Sequence, residues 1–468
     1  MTEKRKRKLA MPDTLIIVAS VVLLVAILSW IIPSGTYDYQ EMNINGRIRN
    51  VAIDGTYHTI DKSEVTTTGF LGFFSVLYRG CVEAADVIFM ILCCCGTFGV
   101  VVKTGAFHAG IGTILKKLKG KEILLVPIIM MIFGLGGSVF GMASEFYGFY
   151  PLIVGLGVAL GYDAMFGFAI IAVGEFVGFM GATLNPYSVG IAQTISGVEL
   201  YSGTGYRAIC FVIFMAISII YVMIYGRKIK KNPGASVVFG EKNIHAFDRD
   251  ELNEYSFTLK DGLVLLDVLV VLIVLMLGLI KWGWDFPQLC GLFLLMSMIA
   301  AAICKWSPNK WCSEFIDSAK TAMWGCILTG IAKAITVVMQ DAQIMDTVIY
   351  GLSNVLKNAP HAVSAQVMLV VQTLINFFIP SATGQASATM PIMAQLADII
   401  GVSRQTAVLA FQFGDGLSNI FWPTADIVII CGLGGISLQK WYKWFTPLFL
   451  ILFVTQAILL GIATGIGF

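Results

Sequence analysis

Apolar residues fall in long runs separated by short polar islands. Pro12–Ile32, Ala84–Val102, Ala208–Tyr225, Gly262–Ile280, Phe286–Ile303, Ala319–Val338 and Trp444–Ile466 each approach or exceed the length needed to cross a bilayer. A hydrocarbon core of about 30 Å takes roughly 20 helical residues. None of the runs alternates with the period of two that transmembrane strands require, so the spans are predicted as helices. Pro12–Ile32 follows basic residues, but it is too long for a signal-peptide core and no small-residue cleavage site follows, so it reads as a span.

Other apolar runs come in pairs that are individually too short to cross. Ile123–Leu135 and Phe146–Leu160 flank Gly136–Glu145, and Ala362–Ile379 and Ala388–Ile400 flank Pro380–Gln385. Each pair predicts a re-entrant hairpin, over 121–161 and 361–401. Two further runs are interrupted, at Gly174-Glu175 through Asn185-Pro186 and at Gly414-Asp415-Gly416 through Pro423-Thr424. They predict crossings with unwound centres, over 164–196 and 404–436.

The polar segments set the orientation. Lys4–Lys8, Lys116-Lys117 with Lys119 and Lys121, and Arg227-Lys228 with Lys230-Lys231 are cytoplasmic by the positive-inside rule. The acidic stretch Ser34–Thr68 is then extracytoplasmic and predicts a small β-rich cap. Thr104–Gly120 reads as a helix along the membrane surface, Gln340–Asn358 as a surface stretch outside, and Lys231–Lys260 as a cytoplasmic linker.

The chain thus divides into a basic N-terminus (1–11), a first repeat (12–230), a linker with an extra span (231–285) and a second repeat (286–468). That extra span gives the repeats opposite orientations. Pro151 and Pro391, Gly161 and Gly401, and Gly174 and Gly414 are each 240 residues apart, and Glu175 falls on Asp415 in the same register.

Composition agrees with a membrane protein: 57% hydrophobic residues, 13% charged residues and a mean hydropathy of +0.82. A net charge of +2 gives no support to a nucleic-acid partner. Most of the ten Cys, including Cys93-Cys94-Cys95, sit in apolar runs without metal-ligand spacing, as packing residues do. His58, His108, His245 and His361 are scattered, and His-Glu-x-x-His, Gly-x-Ser-x-Gly and Walker-type motifs are absent. An intramembrane hydrolase or ATP-driven pump therefore lacks its parts, and the reading is a secondary transporter rather than an enzyme.

Backbone breaks at membrane depth free N–H and C=O groups, and they survive only where they line a cavity or are buried in protein. Half-helix N-termini suit a carboxylate, and unwound carbonyls and hydroxyls suit a cation. The first tip offers Ser138, Gly141 and Ser144; the second offers Ser381, Thr383, Gly384, Gln385, Ser387 and Thr389. Glu145, Glu175 and Asp415 lie at breaks, where a charge costs about 2.5–3.5 kcal/mol or more. They can bind a coupling Na+ or H+, pair with a substrate cation, or serve nearby backbone. Asn185, Ser418, Asn419 and Thr424 mark the far edges of the unwound segments and suit either substrate binding or helix–helix hydrogen bonding. Lys333, in mid-span, is either a counter-ion or a residue snorkelling to the surface. No cofactor is expected beyond a coupling ion, with a sodium site at the hairpin tips as one option.

Ala10–Thr14, Gly-Gly-Ser-Val-Phe-Gly at 136–141, Asn185-Pro186 with Gln193, Gly-Gln-Ala-Ser-Ala-Thr-Met-Pro at 384–391 and Ala-Phe-Gln-Phe-Gly-Asp-Gly at 410–416 resemble the YfcC-like branch of the DcuC-type carriers, over nearly the whole chain. The resemblance implies an all-α, inverted-repeat, elevator-type fold of the ion transporter superfamily. It also implies a dimerising scaffold, and a transport domain made of hairpins and broken helices. Family members are assigned to basic amino acid antiport or to C4-dicarboxylate transport. The expectation is an antiporter or ion-coupled symporter in the bacterial inner membrane, N-terminus cytoplasmic, working as a homodimer. Its substrate is expected to be an amino acid, a basic one first, with a C4-dicarboxylate or other small organic anion as the alternative.

Overall fold

A backbone surrounded by hydrocarbon must satisfy its own polar groups, and a helix does so within one segment. The computed structural model describes residues 13–44, 47–118, 122–241, 245, 257–357 and 363–468. Among these it is nearly all helix. The basic N-terminus, Lys119, Lys121, His361 and much of the linker between the halves lie outside the described residues.

The first half runs α1 (Thr14–Ile31), β1 (Ser34–Thr36), β2 (Tyr39–Ile44), β3 (Arg47–Ala52), β4 (His58–Ile60), α2 (Phe70–Glu83), α3 (Ala85–Lys103), α4 (Ala106–Leu118), α5 (Leu125–Leu135), α6 (Phe149–Ala159), α7 (Ala164–Met180), α8 (Val189–Ile195) and α9 (Thr204–Lys231). The second runs α10 (Leu259–Lys281), α11 (Phe286–Ile303), α12 (Pro308–Lys320), α13 (Met323–Asp341), α14 (Met345–Lys357), α15 (Ser364–Phe378), α16 (Ala382–Ile399), α17 (Arg404–Ser418), α18 (Asp426–Gly434) and α19 (Leu438–Gly465). Seven helices, α1, α3, α9, α10, α11, α13 and α19, are long and apolar enough to cross a membrane. Their starts follow local chemistry. Asp163 and Ser403 each accept a backbone N–H in the first turn of α7 and α17, and Thr258 with Asp261 forms a capping box on α10.

Packing relates the two halves reciprocally. α2 packs on α13 and α3 on α12, while α1 packs on α13 and α11 on α3. At the α2–α13 crossing a Cβ on Gly80 would stand 2.3 Å from the Gly330 carbonyl oxygen, so no side chain fits there. A second group consists of α5 and α6 on α7, α15 and α16 on α17, and α7 against α17, while α10 packs on α11 and α4, and α18 packs on α13. The α5–α7 seam is lined with glycine. A Cβ on Gly178 would lie 2.1 Å from the Gly134 carbonyl oxygen, and one on Gly137 would lie 2.6 Å from that of Glu175.

The expected β-rich cap is present as two antiparallel pairs, β1 with β4 and β2 with β3. Asp346 of α14 anchors it: the carboxylate accepts from the Tyr37 N–H (3.0 Å), the Thr36 hydroxyl (3.2 Å) and the Tyr39 hydroxyl (2.8 Å). Tyr57 stacks on Tyr350 at 4.2 Å. Burial, then the Asp346 carboxylate, holds the Tyr39 hydroxyl above the usual tyrosine range.

Three boundaries differ from the sequence expectation. Gly174-Glu175 and Gly414-Asp415-Gly416 do not break their helices, because α7 and α17 continue through them. These glycines serve close packing instead, since Cβ atoms on Gly174 and Gly416 would lie 3.0 Å from Met130 Cα and 2.4 Å from Met180 Cα. The breaks come later, at 181–188 and 419–425, next to Pro186 and Pro423. The second tip is shorter than expected: Ser381 caps α16, which puts Thr383, Gly384, Gln385 and Ser387 inside its first turns. Finally, α2 and α12 were not anticipated, and the expected span Ala319–Val338 is α13, shifted by a few residues.

Two outcomes follow for stability. Asp346→Ala strips the cap of its acceptor and is expected to cost on the order of 2 kcal/mol, read as a lowered unfolding temperature in detergent, with Asp346→Asn losing less. Gly178→Ala forces a clash with backbone and is expected to cost about 1–3 kcal/mol. The control Gly291→Ala, with open space around it, is expected to be neutral or slightly stabilising in the same measurement.

Candidate substrate site at the helix breaks

In the first half, α5 ends in a π-helical turn over Gly136–Phe140, and Gly141 follows with a φ of +68°. A side chain there would stand 2.3 Å from Asn185 Oδ1. The freed groups are satisfied across the two breaks. Thr183 N–H and Leu184 N–H donate to the Ser138 carbonyl (2.9 and 3.2 Å), and the Ser138 hydroxyl donates to the Gly181 carbonyl (3.0 Å). Asn185 Oδ1 accepts from the Tyr187 and Ser188 N–H groups at 2.9 and 3.2 Å. The buried Arg207 of α9 donates to the Thr183 carbonyl at 3.3 Å. Ser138 and Asn185 are thus structural pins as well as candidate ligands.

In the second half, the Thr383 hydroxyl donates to the Tyr187 carbonyl at 2.9 Å, joining the second tip to the first-half break. The Ser387 hydroxyl bonds back to the Thr383 carbonyl, and that of Ser418 to the Gly414 carbonyl. Gln385 Nε2 donates to Gln372 Oε1 (2.7 Å), and Gln372 Nε2 donates to Thr389 Oγ1 (3.2 Å). Asn376 Nδ2 faces three acceptors: Asp415 Oδ1 at 2.8 Å, Asn419 Oδ1 at 3.1 Å and Gln385 Oε1 at 3.2 Å. An amide carries two hydrogens for these three oxygens. Asp415 Oδ2 and Asn376 Oδ1 are buried without a partner.

Two cavities that share Ser144, Phe286 and Ser381 open between the tips. The smaller, about 340 Å³, is lined by Gly141, Ser144, Glu145, Ser381 and Thr383 among others. The larger, about 550 Å³, is lined by Ser144, Tyr147, Lys333, Ser381, Gly384, Thr424 and Asp426 among others. Another cavity, about 490 Å³, lies at the α6–α7 turn around Tyr162, Asp163 and Lys230. There Asp163 is already engaged by Tyr225 and Ser236 hydroxyls and the Phe166 N–H, so its chemistry is structural.

Of the three acids singled out from sequence, Glu145 lines a cavity, and its Oε2 accepts from the Ala143 N–H at 3.0 Å. Glu175 lies behind it, accepting from the Tyr150 hydroxyl at 2.9 Å with Oε1 unpartnered. Asp415 lies in the Asn376 cluster. The structure adds Asp426, the first residue of α18, which accepts from the Tyr147 hydroxyl at 2.8 Å, together with Asn376, Gln372 and Arg207. Asp426 was hidden because the 240-residue register sets it opposite Pro186 and an apolar run follows at once. The available signal was its position two residues past Pro423-Thr424, where a half-helix must open.

Among the described residues, seven membrane-length helices, helix breaks linked by Ser138 and Thr383, and cavities carrying both signs of charge between the tips belong to a multi-pass membrane transporter. The family described as DcuC, C4-dicarboxylate anaerobic carrier, matches residues 11–465, and the chain belongs to it. A relative from Escherichia coli (strain K12), named "Putative basic amino acid antiporter YfcC", is 32% identical over 501 residues, covering 99% of this chain and 98% of that protein. An uncharacterized protein of Haemophilus influenzae is 27% identical over 505 residues, covering 99% of each. Among solved structures, the Alcanivorax borkumensis YdaH transporter aligns with a TM-score of 0.44 at 15% identity, over 98% of this chain and 99% of that one. Neisseria gonorrhoeae MtrF, described among antimetabolite efflux pumps, aligns with a TM-score of 0.43 at 16% identity, over 97% of this chain and 96% of that one.

Asn376→Ala removes the donor that serves three buried oxygens, including a carboxylate. It is expected to destabilise the protein by on the order of 3 kcal/mol in thermal unfolding, whereas Ser387→Ala, which cuts only a bond within one helix, is expected to change it by under about 1 kcal/mol.

Proposed function

We propose that this chain is a secondary active transporter of amino acids, basic ones first, working by antiport or ion-coupled symport. The carrying observation is that carboxylates, Glu145 and Asp426, line the cavities between the two tips and suit a cationic moiety. The named function of the E. coli relative supports the same class. The family description and Lys333 in the larger cavity favour the second reading, a C4-dicarboxylate or other small organic anion.

In this reading 121–161 and 361–401 are re-entrant hairpins within inverted repeats 12–230 and 286–468. The reciprocal packing of α2 and α3 with α13 and α12 supports the repeat. The hairpins and broken helices move as an elevator against the α1–α3 and α11–α13 scaffold, and each tip gates one side. The reading takes the chain as a homodimer in the bacterial inner membrane, with the N-terminus cytoplasmic by the positive-inside rule. Substrate and ion contacts are drawn from Ser138, Gly141, Ser144, Glu145, Glu175, Asn185, Ser381, Thr383, Gly384, Gln385, Ser387, Asp415, Ser418, Asn419 and Thr424, with Asp426 added. The coupling ion is Na+ or H+, and the Asn376–Asp415 cluster suits it, because its oxygens outnumber the donor hydrogens that reach them.

The test is counterflow in proteoliposomes with a panel of amino acids, amines and dicarboxylates. Saturable exchange of a basic amino acid is expected. Exchange of dicarboxylates alone would replace the first reading with the second, and non-saturating flux without counterflow would remove both. Asp415→Asn, folded, is expected to lose the dependence of uptake on the Na+ or H+ gradient.

A further inference from the structure

The larger cavity contains a charge that the protein leaves unanswered. Thr329, Lys333, Thr336 and Gln340 recur at helical spacing along α13 and all line this cavity. They are the polar side chains of that helix apart from its terminal Asp341. Lys333 takes part in no hydrogen bond or ion pair among the described residues, although an ammonium at membrane depth is costly and normally finds a partner. Its side chain lines a cavity between helices.

The facing wall comes from other elements. Asp426 opens α18 with the Tyr147 hydroxyl on Oδ1 at 2.8 Å. Ser381 and Gly384 bring the N-terminal end of α16 to the same space. The Thr424 hydroxyl, 4% exposed and unpartnered, lines it too. Asp426 and, at the end of α2, Glu83 line the cavity with Lys333, and neither forms an ion pair with it among the described residues, so the cavity holds a cation apart from its carboxylates. A ligand with both charges answers both walls. About 550 Å³ is a volume typical of small-molecule sites.

We propose that Lys333 docks the carboxylate of a zwitterionic substrate whose ammonium lies on Asp426, so that the site selects α-amino acids over amines and over dicarboxylates. The inference rests on the transport reading above and names its recognition chemistry. The adjoining smaller cavity, reached past Ser144 and Ser381, takes the side chain, and Glu145 there favours a cationic one.

The experiment uses the full-length protein in liposomes with labelled L-arginine. In the wild-type protein L-lysine is expected to compete, and agmatine, which lacks the carboxylate, and succinate, which lacks the ammonium, to compete poorly. Lys333→Gln is expected to raise the KM for arginine about tenfold or more while leaving weak competition by agmatine unchanged. Lys333→Arg is expected to retain transport. Should Lys333→Gln fail to fold, Lys333→Cys with and without 2-aminoethyl methanethiosulfonate gives the same comparison within one folded sample: transport returns when the added group restores a cation. Wild-type KM for arginine in Lys333→Gln, no recovery of transport in modified Lys333→Cys, or equal competition by agmatine and arginine overturns the docking role. Succinate exchange that depends on Lys333 overturns the zwitterion assignment. Absence of any counterflow by the wild-type protein fails the transport reading itself and is distinguishable from all of these.

Discussion

Every peptide group released from a helix inside an apolar layer needs a partner, and in this chain the breaks at 136–143 and 181–188 supply one another. Ser138 answers Thr183 and Leu184, Asn185 answers Tyr187 and Ser188, and Thr383 reaches Tyr187 from the opposite half. The tips are therefore not loops attached to a scaffold. The first tip and the break at 181–188 hold each other's backbone, Thr383 at the start of α16 reaches that break from the other half, and the cavities lie where these helices stop.

The same constraint explains where the glycines went. Backbones must approach closely for a hydroxyl of one break to reach a carbonyl of the next, and the α5–α7 seam permits it at Gly134, Gly137, Gly174 and Gly178. This fixes each half-length pair to its broken helix as one body. Lys333 stands on α13, which packs on α1 and α2, whereas Tyr147 and Ser381 stand at the two tips, and Asp426 opens α18, which packs on both α13 and α6. The cavity thus lies where α13, α18 and the two tips meet, and its charges come from different helices.

The long spans were legible because unbroken apolar length has one meaning in a chain of this composition: Phe286–Ile303 matches its helix residue for residue. The paired short helices and the β cap were legible for the same reason, from length and polarity. Glycine was the ambiguous letter. Gly174 and Gly414 look like breakers in one dimension, but tertiary contact uses them as flat surfaces, and the prolines a turn or more later mark the true ends. Asp426 and Asn376 were illegible because their importance depends on what faces them: Tyr147 is 279 residues from Asp426, and Asp415 is 39 from Asn376. Lys333 was visible as an anomaly, and its stripe with Thr329, Thr336 and Gln340 acquires direction only once the cavity is known.

The exchange of partners between α2 and α13 sets a schedule for synthesis. The surface around Gly80 is complete only when Gly330 arrives, 250 residues later in the chain. At about 5–20 residues per second, a ribosome takes roughly 12–50 s to deliver it. Through that interval α1, α2 and α3 wait with the faces that the second half will cover still open. Whatever assists insertion of this chain must hold a half-built helix group, since no short contiguous segment carries both sides of the α2–α13 crossing.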